Sequence, residues 1–234
     1  TPVMIGQDYL NQRRLQMIEA TLIDYMGSDL SVVNAARVSF GKKSGWAKFT
    51  AGHADKGVLH DKDRKLIHYL AEHKHFSPFG HCFASFHIKA PIFVARQLVK
   101  HKFLRWNEIS RRYVDTKPEF YEPSEWRGRS EDKKQGSDGV VNVYMDQDMQ
   151  WHRQLVAYEN LINNGVCPEQ ARMVLPQSLM TEWYWSGSLD AFADMCNLRC
   201  SGDTQLETRL AANQICTGMQ GLFPVSWFAL RLEK

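Results

Sequence analysis

The sequence predicts a mixed α and β domain with more helix than strand, and three observations carry that reading. Apolar residues recur at three- and four-residue spacing in several stretches that open on Ser, Asp or Pro, the pattern of capped amphipathic helices. Residues 82–89 instead alternate apolar and polar as Cys-Phe-Ala-Ser-Phe-His-Ile-Lys, the period of a half-buried strand. The chain has 234 residues, 44% hydrophobic and 24% charged. That is a globular composition on a chain long enough to bury a core, and it excludes disordered and fibrous classes.

The elements follow in order. Residues 15–26 are apolar-rich and read as a strand or short helix ending at Gly27. Ser28 or Asp29 then caps a helix carrying Leu30, Val33 and Ala36 on one face. Residues 41–57 are rich in Gly and Lys and read as a loop. Asp61 caps a helix to about His73, with Leu66, Ile67 and Leu70 inward. After the strand at 82–89, Pro91 opens a helix over 92–102 that places Gln97, Lys100 and His101 on one face. A polar, aromatic-bearing turn is expected over 104–110. Residues 124–139 have little to bury and read as a mobile surface loop within one domain. A long amphipathic helix covers 144–164, through Met149, Leu155 and Ile162, and Gly165 stops it. Pro168 opens a short helix that Pro176 closes, and a second strand covers 179–185. Ser188 caps a helix to Arg199, and Asp203 caps another that reaches Gly221 before Pro224. No internal repeat is visible.

Composition narrows the class further. No apolar run approaches the roughly 20 residues that span a bilayer, and the first residues do not read as a secretory signal. Cys82, Cys167, Cys196, Cys200 and Cys216 are an odd, scattered set, which predicts reduced thiols and a cytoplasmic protein. The net charge of +3 is mild. Residues 96–112, however, hold six Lys/Arg (Arg96, Lys100, Lys102, Arg105, Arg111, Arg112) and His101 against one acid, Glu108. A field of that sign favours an anionic partner.

Three constellations could carry chemistry. His73, His75, His81, Cys82 and His87 lack paired metal-ligand spacing, so the expectation is histidines around a tight turn, or lining a pocket, with no metal. Neither GxGxxG nor GxxxxGK[ST] occurs, so an anionic nucleotide would be held by cations and turn N–H groups. The third is the run Lys100-His101-Lys102-Phe103-Leu104-Arg105-Trp106-Asn107-Glu108-Ile109-Ser110-Arg111-Arg112-Tyr113. It reads as either a solvated basic face or an anion-binding site.

This run resembles the signature of flavin-dependent thymidylate synthases, which is Arg-His-Arg, two residues, Ser, one residue, Asn, two residues, Ser, one residue, Arg. His101, Asn107, Ser110 and Arg112 match, as does Glu108. Lys100 and Lys102 replace arginines with retention of charge, and Arg105 replaces a serine. Further blocks in the family's order are Ala35-Ala36-Arg37-Val38-Ser39-Phe40, His75 with Ser77-Pro78-Phe79, Lys89-Ala90-Pro91-Ile92-Phe93-Val94-Ala95-Arg96-Gln97, Ala171-Arg172-Met173-Val174-Leu175-Pro176, and Asn197-Leu198-Arg199.

The resemblance implies a single α+β domain, with helices packed around a central, mostly antiparallel sheet, assembling as a homotetramer. It implies conversion of dUMP to dTMP, with methylenetetrahydrofolate as one-carbon donor and FAD, reduced by NADPH, as hydride donor. By carry-over, Ser77, Lys100, His101, Lys102, Asn107 and Glu108 contact FAD. Gln97, Lys100, Glu108, Ser110, Arg111, Arg112, Arg172 and Arg199 bind dUMP, residues 108–112 coming from a neighbouring subunit. Ser39 and His75 are candidate pocket residues. Gly80, Ser188, Asp194 and Asp203 depart from the family's flavin-side residues and are not expected to be FAD ligands.

The residue types suit that chemistry. Carbon 5 of uracil becomes nucleophilic only if negative charge builds near N3 and O4, and the fixed fork of Arg199 can stabilise it, which makes Arg199 the catalytic candidate. No cysteine nucleophile is needed, and Cys82, Cys196 and Cys200 read as small core residues. Two other classes stay open. A nucleic-acid-binding module would use the basic run and Trp106, and a family member without catalysis would only bind nucleotides. Neither nucleic acid nor membrane is expected as a partner.

Overall fold

A computed structural model describes residues 17–47, 57–131 and 136–231. The start of the expected 15–26 element, part of the 41–57 loop and the centre of the 124–139 loop lie outside the described residues. In chain order the elements are β1 (Glu19–Met26), α1 (Asp29–Arg37), α2 (Asp61–Glu72), β2 (Phe83–Pro91), α3 (Ile92–Leu98), β3 (Leu104–Glu108), β4 (Arg127–Arg129) and β5 (Ser137–Val140). They continue with α4 (Gln147–Asn163), α5 (Pro168–Ala171), β6 (Met180–Ser188), α6 (Leu189–Arg199), α7 (Leu206–Leu222) and α8 (Pro224–Leu230). The fold is α+β. Its central sheet has the order β1-β2-β6-β3, every neighbouring pair antiparallel.

The alternation expected of β2 is what the sheet uses. Ala84, Phe86, Ile88 and Ala90 are buried, while Ser85, His87 and Lys89 turn to the other face. β6 repeats the pattern, with Trp183 and Trp185 buried, Tyr184 exposed, and Phe86 paired with Trp185. On the inner face Phe192 of α6 meets Phe86 and Trp185 edge-on, with centroids at 5.4 and 5.7 Å. Buried aromatic side chains each remove on the order of 150–250 Å² from water, so this cluster dominates the core.

Three polar contacts at long range tie the helices down. Both carboxylate oxygens of Asp29, itself buried, accept from the backbone N–H groups of Val225 (3.0 Å) and Ser226 (2.8 Å). Asp29 thereby caps α8, a helix the sequence reading missed. Arg37 Nε donates to the fully buried Asp63 at 3.1 Å, and Ser44 Oγ donates to the same oxygen at 3.1 Å. The third is an ion pair between Arg127 and Glu207, taken up below.

Four expectations need correction. The helix expected over 92–102 stops at Leu98, and the expected turn at 104–110 is instead the edge strand β3. Pairing decides both. As a strand, residues 104–108 stack Trp106 on Trp183 at 4.3 Å and fill the open edge of β6, which a helix continuing past Leu98 would forgo. The reversal puts Phe103 at φ +63, a left-handed conformation that is unfavourable for a bulky residue. It also requires Gly187, where a Cβ would come within 2.4 Å of Leu104 Cδ2 and 3.0 Å of the Phe103 carbonyl oxygen. Third, the expected caps shift, with His60 rather than Asp61 before α2 and Gln205 rather than Asp203 before α7. Fourth, residues 124–139 are not plain loop. They include the strands of an antiparallel ribbon, β4 with β5, and Ser130 is buried.

Candidate active site

Three of the candidate residues converge between the C-terminal ends of α3 and α6. Arg199, in the last turn of α6, donates from Nε to His101 Nε2 at 2.9 Å and from Nη2 to the Gln97 carbonyl at 3.3 Å. His101 lies in the tight turn after α3, its N–H bonded to the Leu98 carbonyl at 3.1 Å. Its ring also approaches Trp185 edge-on at 6.5 Å. Burial pushes the His101 imidazole below its ordinary value, the Arg199 charge adds to that, and Asp194 opposes it. Burial also lowers Arg199, though a guanidinium stays cationic at neutral pH. The two bonds leave further N–H donors on Arg199 for a ligand.

The side chain of Gln97 is held in turn by Gln205, whose Oε1 accepts from Gln97 Nε2. Sequence reasoning missed Gln205, and no local signal could have found it, because the two residues are 108 positions apart. Lys100 and Lys102 flank His101 with exposed side chains, and among the described residues neither forms an ion pair. Sequence reasoning therefore placed a cationic surface correctly, although Gln97, Lys100 and His101 do not share one helix.

The other candidates sit elsewhere in this chain. Asn107 is exposed on β3 opposite Tyr184. Glu108, at the end of β3, accepts from Thr181 Oγ1 at 2.7 Å and from Trp106 Nε1 at 3.2 Å. Thr181 is a second missed residue, visible only once β3 and β6 are paired. Beyond the strand, Ser110 Oγ accepts from Arg112 Nε at 3.3 Å, Arg112 lies 4.9 Å over the Tyr113 ring, and Arg111 donates to the Thr116 carbonyl. Arg172 is exposed in the 3₁₀ turn after α5, its Nε bonded to the Glu169 carbonyl at 3.3 Å. Ser77 and Ser39 are exposed, and His75 belongs to an exposed aromatic group with Tyr69 and His73. No bond among the described residues joins any of these to Arg199.

A cleft of about 780 Å³ opens beside the convergence point, lined by Phe93, Tyr121, Trp126, Trp151 and Gln205 among others. Gln205 is, among the described residues, the one member of the Arg199 cluster that lines it. Among the described residues, no group of His, Cys, Asp and Glu is arranged to hold a metal ion, and no helix is long and apolar enough to cross a membrane.

A family model described as thymidylate synthase complementing protein matches residues 21–225. The flavin-dependent thymidylate synthase of Thermus thermophilus is 38% identical over 214 residues, covering 89% of this chain and 73% of that one. The enzyme of the same name from Kosmotoga olearia is 36% identical over 219 residues, covering 89% and 87%. Among solved structures, a UMP/dUMP methylase from Streptomyces cacaoi bound with 5-Br dUMP superposes with a TM-score of 0.71 at 31% identity, over 91% of this chain and 94% of that one. With the family model spanning most of the chain and these relatives matching it along 89% of its length, the chain belongs to the flavin-dependent thymidylate synthases.

Proposed function

We propose that the protein converts dUMP to dTMP, taking the one-carbon unit from methylenetetrahydrofolate and the reducing equivalents from NADPH through FAD. The observation that carries this reading is Arg199, anchored by His101 and Gln97 with donors to spare, beside two exposed lysines. A fixed cation of that kind stabilises negative charge as it develops on the pyrimidine ring, and because it is already oriented it needs no reorganisation during reaction.

The residues also suit an anionic flavin nucleotide. Lys100 and Lys102 are exposed and uncommitted among the described residues, the chemistry a pyrophosphate requires. Ser77 and Asn107 would donate hydrogen bonds to the same nucleotide, and the Glu108 carboxylate would accept one from an N–H or O–H of it. FAD, when bound, supplies the redox step, so no cysteine adduct with uracil is needed. Gln97 and Arg172 would hold the nucleotide. Residues 108–112, which make no bond to the Arg199 cluster within the chain, would serve the site of a neighbouring subunit in a homotetramer. Mixing inactive Arg112→Ala and Arg199→Ala proteins should then restore some turnover through subunit exchange.

The test is spectroscopic and then chemical. Purified protein should show flavin absorbance that NADPH bleaches anaerobically and that returns when dUMP and methylenetetrahydrofolate are added together, with dTMP formed. A colourless protein that binds nucleic acid in a salt-sensitive way would replace the enzyme reading with a nucleic-acid module. Bound flavin without dTMP would point to a member lacking catalysis. The Streptomyces neighbour is described as a UMP/dUMP methylase and is also solved with 5-Br UMP, so UMP belongs in the assay beside dUMP.

A further inference from the structure

We propose that His101 acts as a positioning residue for Arg199, accepting its Nε–H as a neutral imidazole protonated on Nδ1, and that protonation of His101 releases the guanidinium from its working orientation. This rests on the function proposed above for its consequence, though not for its geometry. By resemblance alone His101 is a flavin contact; in this structure its Nε2 is already committed to Arg199 at 2.9 Å.

The argument starts from what each group can do. A guanidinium has only donors. An N–H of Arg199 pointing at Nε2 therefore requires a lone pair there, which places the imidazole proton on Nδ1. An imidazolium has no lone pair to offer, so adding a proton converts a hydrogen bond into two like charges in contact. Arg199 would then keep only its longer bond to the Gln97 carbonyl, 3.3 Å, and lose the bond that fixes Nε.

The surroundings favour the neutral form. The charged groups facing the ring are Arg199 and Asp194, both on α6; Asp194 pulls the other way but comes after burial and Arg199 in effect. From β6 the ring meets the edge of Trp185, which is apolar. Lys100 and Lys102 flank it in the chain with exposed side chains. At neutral pH the pair is thus intact, and it opens only as the pH falls below the ordinary histidine value of about 6.5.

Two variants and one spectrum test this. A glutamine carbonyl can accept the Arg199 Nε–H and does not titrate. His101→Ala should lower turnover about 10- to 100-fold, in line with loss of a hydrogen bond to a charged group, and His101→Gln should restore most of that loss. The decisive readout is the ratio of wild-type to His101→Gln turnover against pH, because protonation of the dUMP phosphate affects both proteins and cancels. The ratio should be flat above pH 7 and fall toward tenfold per pH unit below the His101 value. A ratio independent of pH, with flavin lost from the glutamine variant, would overturn the proposal in favour of a flavin contact. The geometry is read separately in wild-type protein labelled with ¹⁵N-histidine, without any turnover. His101 should show a bare Nε2 and a protonated Nδ1 at neutral pH, and Arg199→Ala should raise its titration point. A proton on Nε2 at neutral pH would overturn it. If no dTMP forms under any condition, the function proposed above fails while the spectrum still decides the His101–Arg199 pairing.

Discussion

The ion pair that staples the 127–140 ribbon to the body of the protein offers the sharpest test of the packing. Arg127 Nη2 donates to Glu207 Oε1 at 2.6 Å, and the side chains are 19% and 3% exposed. The Tyr121 hydroxyl, 3.5 Å away, is a weak second donor to the same oxygen, and Glu207 Oε2 has no partner among the described residues. Replacing Arg127 by Ala leaves a carboxylate in an apolar setting with almost no compensation. Breaking a buried pair from one side costs about 3–5 kcal/mol. Because Arg127 is itself one-fifth exposed, water can enter the vacated space, and the lower end of that range, about 3 kcal/mol, applies. For a chain of this size that is a drop of about 6–12 °C in Tm. The assay is thermal and urea unfolding of Arg127→Ala, Glu207→Gln and the double variant. Once the arginine is gone, removing the charge should help, so the double variant should recover at least about 1 kcal/mol relative to Arg127→Ala, as expected of coupled neighbours. A change under about 0.5 kcal/mol in Arg127→Ala, the level of an ordinary surface substitution, or no recovery in the double variant, would refute the reasoning.

Three further outcomes follow from the site and the sheet. Arg199→Ala should lower dTMP formation by about 10²–10³, as for loss of one preorganised donor at a developing charge, while bound flavin persists; near-normal turnover would remove Arg199 from its assigned role. Lys102→Ala should weaken FAD by about 1.5–3 kcal/mol, one charge-assisted hydrogen bond, read as flavin lost on dialysis; unchanged retention would return Lys102 to a solvated face. Gly187→Ala should destabilise by about 1–3 kcal/mol, since its Cβ would come within 2.4 Å of Leu104 Cδ2 and press on the Phe103 carbonyl. Unfolding at the wild-type midpoint would show that β3 and β6 can separate without penalty.

What the sequence determined by itself was whatever depends on spacing along the chain. The alternation through residues 82–89 became β2, and the periodic stretches became α1, α2, α6 and α7 with ends displaced by a few residues, because the side-chain period of an element is set locally. The positive field around residues 96–112 was visible for the same reason, whereas the residues ending in Arg199 were picked out by resemblance to a known family. The tertiary structure decided what depends on a partner distant in sequence. Residues 104–108 are a strand because β6 offers an unpaired edge and Trp183 a surface for Trp106. The same pairing ends α3 at Leu98 and turns His101 toward Arg199. The polar stretch after Ser124 gains structure because Arg127 meets a carboxylate 80 residues away that has been carried into the interior. Gln205 holds Gln97, and Asp29 caps α8, across gaps no window along the chain can bridge. Composition shows that these groups need partners, since a buried charge or an open backbone end is unfavourable alone. Which partner each one takes follows from the register of the sheet and the helices laid across it.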